Sequence, residues 1–442
     1  MGKMKKGFKK LGAVLLTVAM ALTMNLTVFA VGMDGENGVI GEFASPDTAV
    51  EQETNVVIYK EITAYNPDSC TVNAPTVTYN YTIGAATVAS GTKVKDNASR
   101  HNSGNAEVEV KAGVGTPTIT GTGAGVLAIT PTDQLTASEY GTANRFNLTV
   151  DFSTVTAWTG AGVYRYEIVE TTTTATKNAA GIDEGTTPKT LYLDVYVDGS
   201  GKIYGYVLFT NNVSIDGSTS EATAASTAGK IEGFVDDVKD HEYSSTDNST
   251  ADKYYTFNFD LTKTVVNDAY AVSTNHEFPF TIDLTNNDVT AAVLPKMTIT
   301  GAATQTALTA GAIDGTTWTP TIASGANVKY VGIPCGTSVT IKETNDVTGV
   351  TYNSVSTGAH TNAAEKSINT NDDSNDATVE CNATALTAAT ENHSVTFTNT
   401  LLQISPTGFV VRFAPYMLVL MGGIFLIVLG VVLYKRTNKE EA

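Results

Sequence analysis

Tyr255-Thr256-Phe257-Asn258-Phe259-Asp260-Leu261-Thr262-Lys263-Thr264-Val265 alternates from one residue type to the other along its whole length. Period two marks a β-strand with one buried face, because successive side chains point to opposite sides of a sheet. Phe257, Phe259, Leu261, Lys263 and Val265 share the inward face, so the amine of Lys263 is aimed at a core of aromatic rings. Two later stretches have the same parity: Val339, Ile341 and Glu343 share a face, as do Val395, Phe397 and Asn399. A lysine near the first strand of this half, a glutamate in its middle and an asparagine on its last strand therefore point into one core.

Burying a charge without a partner is expensive, so such a trio needs a reason. Desolvation pulls an amine's pKa down and pushes a carboxyl's up, which yields a neutral nucleophile beside a protonated acid. The amine of Lys263 can then attack the amide carbon of Asn399 while Glu343 polarises the amide oxygen and shuttles protons. Ammonia leaves, and an intramolecular isopeptide bond remains. The alternative is an ordinary buried salt bridge beside a hydrogen-bonded Asn399.

Outward from this stretch, residues 54–402 are rich in Thr, Val, Ala, Gly, Asn and Tyr, with short alternating runs bounded by turn residues. No long amphipathic helix is convincing in this region, and the pattern predicts an all-β protein of β-sandwich modules. A Ser/Thr/Asp-rich passage over 240–252 separates two such halves and reads as a linker, while the threonine run 171–176 reads as a hairpin tip. In the first half Val56, Ile58 and Lys60 share a face, as do Tyr164, Tyr166, Ile168 and Glu170, so Lys60 and Glu170 take the places of Lys263 and Glu343.

The chain has 442 residues and a formal charge of −18, a balance that disfavours nucleic acid as a partner because phosphate binding needs a basic stripe. Three cysteines exclude a disulfide scaffold, although Cys335 and Cys381 lie in the same half and could pair. Five scattered histidines and the lack of any His-Glu-x-x-His, Gly-x-Ser-x-Gly or phosphate-binding glycine loop argue against an enzyme acting on an external substrate. No cofactor and no metal is implied.

The ends predict the compartment. Lysines at 3, 5, 6, 9 and 10, an apolar run over 11–22 and Val28-Phe29-Ala30 have the layout of a secretory signal over 1–30, cleaved after Ala30. Residues 414–434 are apolar, uncharged and long enough to span a bilayer, and Lys435, Arg436 and Lys439 follow on the side that stays cytoplasmic. Upstream stands Ile404-Ser405-Pro406-Thr407-Gly408, in which Pro406 extends the chain and the Thr407–Gly408 peptide is open to a transpeptidase cysteine that would leave an acyl group on Thr407. This order of motif, apolar span and basic tail resembles the cell-wall sorting signal read by sortases in Gram-positive bacteria, and its first two positions resemble the variants used by pilin-specific sortases.

The phrases Leu261-Thr262-Lys263-Thr264-Val265, Thr340-Ile341-Lys342-Glu343 and Val395-Thr396-Phe397-Thr398-Asn399-Thr400 resemble the strand signatures of the isopeptide-linked pilin domain of streptococcal T-antigen major pilins. The resemblance implies two tandem immunoglobulin-like sandwiches, over 54–240 and 255–402, each tied between first and last strands. An N-terminal extension over 31–53, a linker over 241–254, the sorting motif at 403–408 and a membrane span with basic tail over 409–442 complete the expected order. By family position Gly233-Phe234-Val235-Asp236 closes the first domain, with Asp236 where the family has Asn; Asn211, which shares parity with Phe209, is the competitor. The resemblance further implies a surface pilus subunit polymerised by sortase through a lysine, Lys230 first, then Lys202 and Lys189. Its partners would be sortase, neighbouring subunits and peptidoglycan, with a host or bacterial surface ligand left open. The alternative is a wall-anchored adhesin or stalk that is not polymerised.

Overall fold

The strand that carries the quoted stretch begins earlier than its alternation implies: Asp252–Val266 runs for 15 residues and belongs to both halves of the molecule. In this computed structural model the residues described are 31–32, 39–40, 54–95, 107–212, 229–236, 249–266, 276–344, 352–359, 366–369, 374–380, 392–401 and 419–432. The architecture is all-β, with facing sheets enclosing a separate core in each half.

In the first half Asn55–Tyr65 pairs antiparallel with Thr142–Asp151, while the facing sheet is built on Val77–Ala85, Gly162–Glu170, Thr190–Val197 and Ile203–Phe209. Val56, Ile58 and Ile62 meet Tyr79, Tyr166, Ile168 and Leu193 between the layers. In the second half Asp252–Val266 lies between Asn327–Pro334, antiparallel, and Asn392–Leu401, parallel. Phe278–Thr285 and Ser338–Thr344 form the opposing layer, and Phe257, Phe259, Phe280, Ile341, Val395 and Phe397 fill the space between.

The shared strand changes partners along its length. Residues 252–255 pair in parallel with 62–65, and from Asn258 onward the same strand pairs in parallel with 392–400. It is the last strand of one half and the first of the next. Tyr254 belongs to the first core and Tyr255 to the second, where it stacks on Tyr65 with ring centroids 4.4 Å apart. Of the expected linker 241–254, therefore, 252–254 are sheet residues, and Ser249 Oγ sits 2.7 Å from Thr63 Oγ1. The polar letters of this passage concealed a strand because its inward polar group, Asp252, is buried among charges rather than exposed.

A polar lattice covers the junction. Asn258 Nδ2, with two hydrogens to give, has Asn66 Oδ1 at 2.9 Å, Asp68 Oδ2 at 3.0 Å and Asn392 Oδ1 at 2.9 Å within reach, and its own Oδ1 accepts from Asn66 Nδ2 at 2.9 Å. The threonine run expected as a hairpin tip instead enters a short helix, Thr174–Ala179, because Thr173 Oγ1 caps it by accepting from the Thr176 N–H. Gly181, with φ of +73°, takes the left-handed position that ends it.

The leader 1–30, the sorting residues Pro406, Thr407 and Gly408, and Cys381 lie outside the described residues. Residues 31–32 and 39–40 add short strands to the first half. Within the expected span, 419–432 is helical and exposed; among the described residues no helix is long and apolar enough to cross a membrane.

Candidate functional site

One register offset recurs in both halves. Asn399 stands opposite Val265, two residues beyond Lys263, and Asp252 stands opposite Ile62, two residues beyond Lys60. Residues two apart on a strand project to the same face, so each parallel pair delivers a lysine and an acyl group to one core.

In the second half the three predicted residues meet. Lys263 Nζ lies 2.8 Å from both Glu343 carboxylate oxygens, and Asn399 Nδ2 donates to Glu343 Oε1 at 2.6 Å. All three are at most 1% exposed, and the amine sits 4.4 Å from the centre of the Phe278 ring. Burial pulls Lys263 down to about 8, against the opposing charge and hydrogen bond of Glu343. The amide oxygen of Asn399 is buried and meets no donor among the described residues. A half-turn of the amide would exchange its Nδ2 for that oxygen beside Glu343.

The first half holds a larger cluster. Lys60 Nζ lies 3.0 Å from Glu170 Oε2 and 2.7 Å from Asp252 Oδ2. A second buried lysine, Lys177, approaches Glu170 Oε1 at 2.6 Å, Asp252 Oδ2 at 3.1 Å and Glu184 Oε1 at 3.1 Å. Asp252 also accepts from the Tyr79 hydroxyl at 3.0 Å and the Gly185 N–H at 2.9 Å, and the Tyr81 hydroxyl reaches Glu170 Oε2 at 3.5 Å. Burial pushes the Asp252 carboxyl up, but the charges of Lys60 and Lys177 outweigh it and hold the group below the ordinary value. Burial likewise pulls Lys177 down, and the carboxylates of Asp252 and Glu170 reverse this, leaving it above the usual lysine range.

Lys60 and Glu170 are thus where parity put them, and the expected third member is not. Asp236 accepts from Thr250 Oγ1 at 2.9 Å and lies beside Glu61, which neighbours Lys60 in sequence and so projects to the opposite face of its strand. Gly233–Phe234 does pair in parallel with Tyr59 and Lys60, a closeness that needs glycine since a Cβ at 233 would fall 2.1 Å from the Tyr59 carbonyl oxygen. The place opposite Ile62, however, is taken by Asp252. Asn211 is exposed and donates to Thr210 Oγ1. Asp252 and Lys177 are the members of this cluster that parity did not locate; the register that sets Asp252 opposite Ile62 is visible only in the sheet pairing.

The lysines expected to accept a neighbouring subunit fall outside both clusters. Lys230 is half-buried in a bridge with Phe209, Lys202 is exposed in a turn with Asp198, and Lys189, 48% exposed, pairs with Glu184 at 2.7 Å.

The fold and its two clusters define a class: tandem β-modules that bury a lysine, a glutamate and an acyl group between parallel first and last strands. No family model matches the chain, and no curated protein matches it. Among solved structures it is similar to the major pilin protein T-13 of Streptococcus pyogenes, at 16% identity and a TM-score of 0.34, covering 83% of this chain and 100% of that one. A second Streptococcus pyogenes major pilin matches at 16% identity and 0.35, covering 79% and 99%. A Mobiluncus mulieris adhesin containing intramolecular disulfide, isopeptide and ester bond cross-links matches at 12% and 0.24, covering 79% and 100%. Likenesses at this level carry no argument of their own, and the chemistry stands on the distances within this chain.

Proposed function

We propose that the chain is a surface-fibre subunit whose two modules are each closed by an intramolecular amide bond, Lys263–Asn399 in the second and Lys60–Asp252 in the first. The observation that carries this is the sealed contact of Lys263, Glu343 and Asn399. In the second module a proton passes from Lys263 to Glu343, the neutral Nζ attacks Asn399 Cγ, and the Cγ–Nδ2 bond breaks as that nitrogen takes a proton and leaves as ammonia. Glu343 keeps the proton it received, so the cluster is uncharged before and after.

The shared strand gives the two bonds a mechanical meaning. With both closed, a covalent path runs from Lys60 through Asp252, along the strand to Lys263 and across to Asn399. The stretch between the crosslinks, 263 − 252 = 11 residues of extended chain, spans roughly 36 Å at ~3.3 Å per residue. Pull applied at the ends bypasses the hydrogen-bonded ladders of both modules. This supports a tension-carrying part and not an enzyme acting on an external substrate.

Secretion, sortase cleavage at Thr407–Gly408, joining to the next subunit through Lys230, Lys202 or Lys189 and attachment to peptidoglycan complete the proposal. Peptide mapping under denaturing conditions tests its chemical core. We expect the peptide holding Lys263 to run covalently joined to that holding Asn399, about 17 Da below their sum, with Glu343→Ala abolishing the joint. Separate, unmodified peptides from the folded wild-type chain would overturn the reading. A ladder of high-mass species in denaturing gels of cell-wall extract tests polymerisation separately.

A further inference from the structure

Two buried lysines against two buried acids is more charge than an amide crosslink requires, and the second module manages with one of each. The difference follows the acceptor. With Asn399, one lysine and one glutamate make the second cluster neutral. With Asp252 in the acceptor's place, Lys60 and Glu170 would leave a net negative charge in a dry interior, which is costly. Lys177 supplies the missing positive charge, 3.1 Å from Asp252 Oδ2 and 2.6 Å from Glu170 Oε1. The half-buried Glu184 that also meets Lys177 is balanced in turn by Lys189, at 2.7 Å.

We propose that Lys177 is the counter-charge that fits the first module to an acid acceptor in place of an amide. This rests on the reading that Lys60 and Asp252 condense. The step balances with Lys177 as a spectator. Lys60 passes a proton to Glu170, and its neutral Nζ attacks Asp252 Cγ. The Cγ–Oδ2 bond then breaks, and that oxygen leaves as water with one proton from Nζ and one returned by Glu170. Glu170 ends ionised, and Lys177 remains as its partner. Meanwhile the Gly185 N–H holds Asp252 Oδ1, the oxygen that stays as the amide carbonyl. Glu343 instead ends protonated and needs no second lysine.

The test is to convert the first cluster to the chemistry of the second in the full chain. Asp252→Asn alone leaves Lys60 and Lys177 facing Glu170 as their one fully buried acid, and we expect its crosslinking rate to fall at least about tenfold, a barrier higher by about 1.4 kcal/mol or more. Adding Lys177→Met restores neutrality, and the double variant should crosslink again, now with a loss of about 17 Da in place of about 18. Asp252→Asn closing as fast as the double variant would overturn the proposal. Were the wild-type first module to show no loss while the second shows its own, condensation in the first module would fail and the counter-charge would still be readable. Thermal melts of the two single variants and the double must then be coupled, the double losing less than the sum, and additive losses would sink it. Lys177→Gln serves the same cycle should the methionine variant not fold.

Discussion

The two modules solve one problem with different atoms. In the proposed reading each closes its first strand onto its last from within a dry core, and each brings together a lysine, a glutamate and an acyl group through the same register offset. The second spends one cation on a neutral acceptor, with Lys263 drawn down to about 8 by burial. The first places Asp252, the proposed acid acceptor, among Lys60, Lys177, Tyr79 and the Gly185 N–H. One cluster is poised by desolvation and the other by pairing. The same backbone geometry thus tolerates either acceptor, provided that the net charge of the sealed volume stays near zero.

The sharpest way to break this comparison is to remove each glutamate in turn. Loss of a crosslink that closes 399 − 263 = 136 residues, or 252 − 60 = 192, should cost about 5 kcal/mol by loop-closure arithmetic. Glu343→Ala should lower stability further by leaving Lys263 buried without its acid, a loss of about 3–5 kcal/mol in the open form. In Glu170→Ala the abandoned cations still have Asp252 and Glu184, so the additional loss should be smaller. Thermal melts of the two variants, with peptide maps confirming which joint is missing, read the difference; equal losses would mean that Asp252 and Glu184 do not hold the cations of the first cluster.

How far the sequence disclosed these sites follows from how each residue is buried. Lys263, Glu343 and Asn399 each sit in an alternating run beside aromatic or branched neighbours, so parity alone located them, and parity located Lys60 and Glu170 as well. Asp252 escaped because it enters the strand from a polar passage with few apolar neighbours to announce a buried face. Its burial comes from ion pairs and hydrogen bonds across the sheet, which leave no local pattern. Lys177 escaped for a related reason. It projects from a six-residue helix too short for a 3.6-residue period to register, inside a run of threonines that suggests a turn. Gly233–Phe234 does lie along Lys60, so the family position of Asp236 points to a real strand contact, while the residue opposite Ile62 is Asp252.

pH separates the clusters by sign. Asn399→Ala removes the acceptor of the second module and keeps Lys263 against Glu343. The lysine then sits at about 8 in the fold against 10.5 for the free side chain. Between those values the unfolded chain holds more protons, so stability should rise as pH goes from about 8 to 10.5 and gain nothing below 8. At the acid end the first module dominates. Burial pushes Glu184 up, but hydrogen bonds from Lys189, Thr174 and Lys177 bring it down to about 2, against 4.5 when free. Its contribution is complete above 4.5 and should be lost as pH falls toward 2, with Asp252 acting in the same direction. Melting temperatures of Asn399→Ala that fall between pH 8 and 10 would contradict the assignment of a desolvated amine to the second cluster.

The smallest expected effect lies between the modules, where neither crosslink reaches directly. Asn258 binds Asn66, Asp68 and Asn392 and accepts from the Gly332 N–H at 3.2 Å, so it ties the last strands of both modules to the loop after Asn55–Tyr65. Asn258→Ala leaves several of those groups without their partner, at a cost of about 1–3 kcal/mol. Because the proposed covalent path runs through the backbone of Asp252–Val266 and not through this lattice, both crosslinks should form in full in the variant. What should change is how freely one module tilts against the other, measurable as a broader distance distribution between spin labels placed on Asn144 and Lys342. Loss of either crosslink in Asn258→Ala would show that the junction sets the register on which both clusters depend, and that the modules do not close independently.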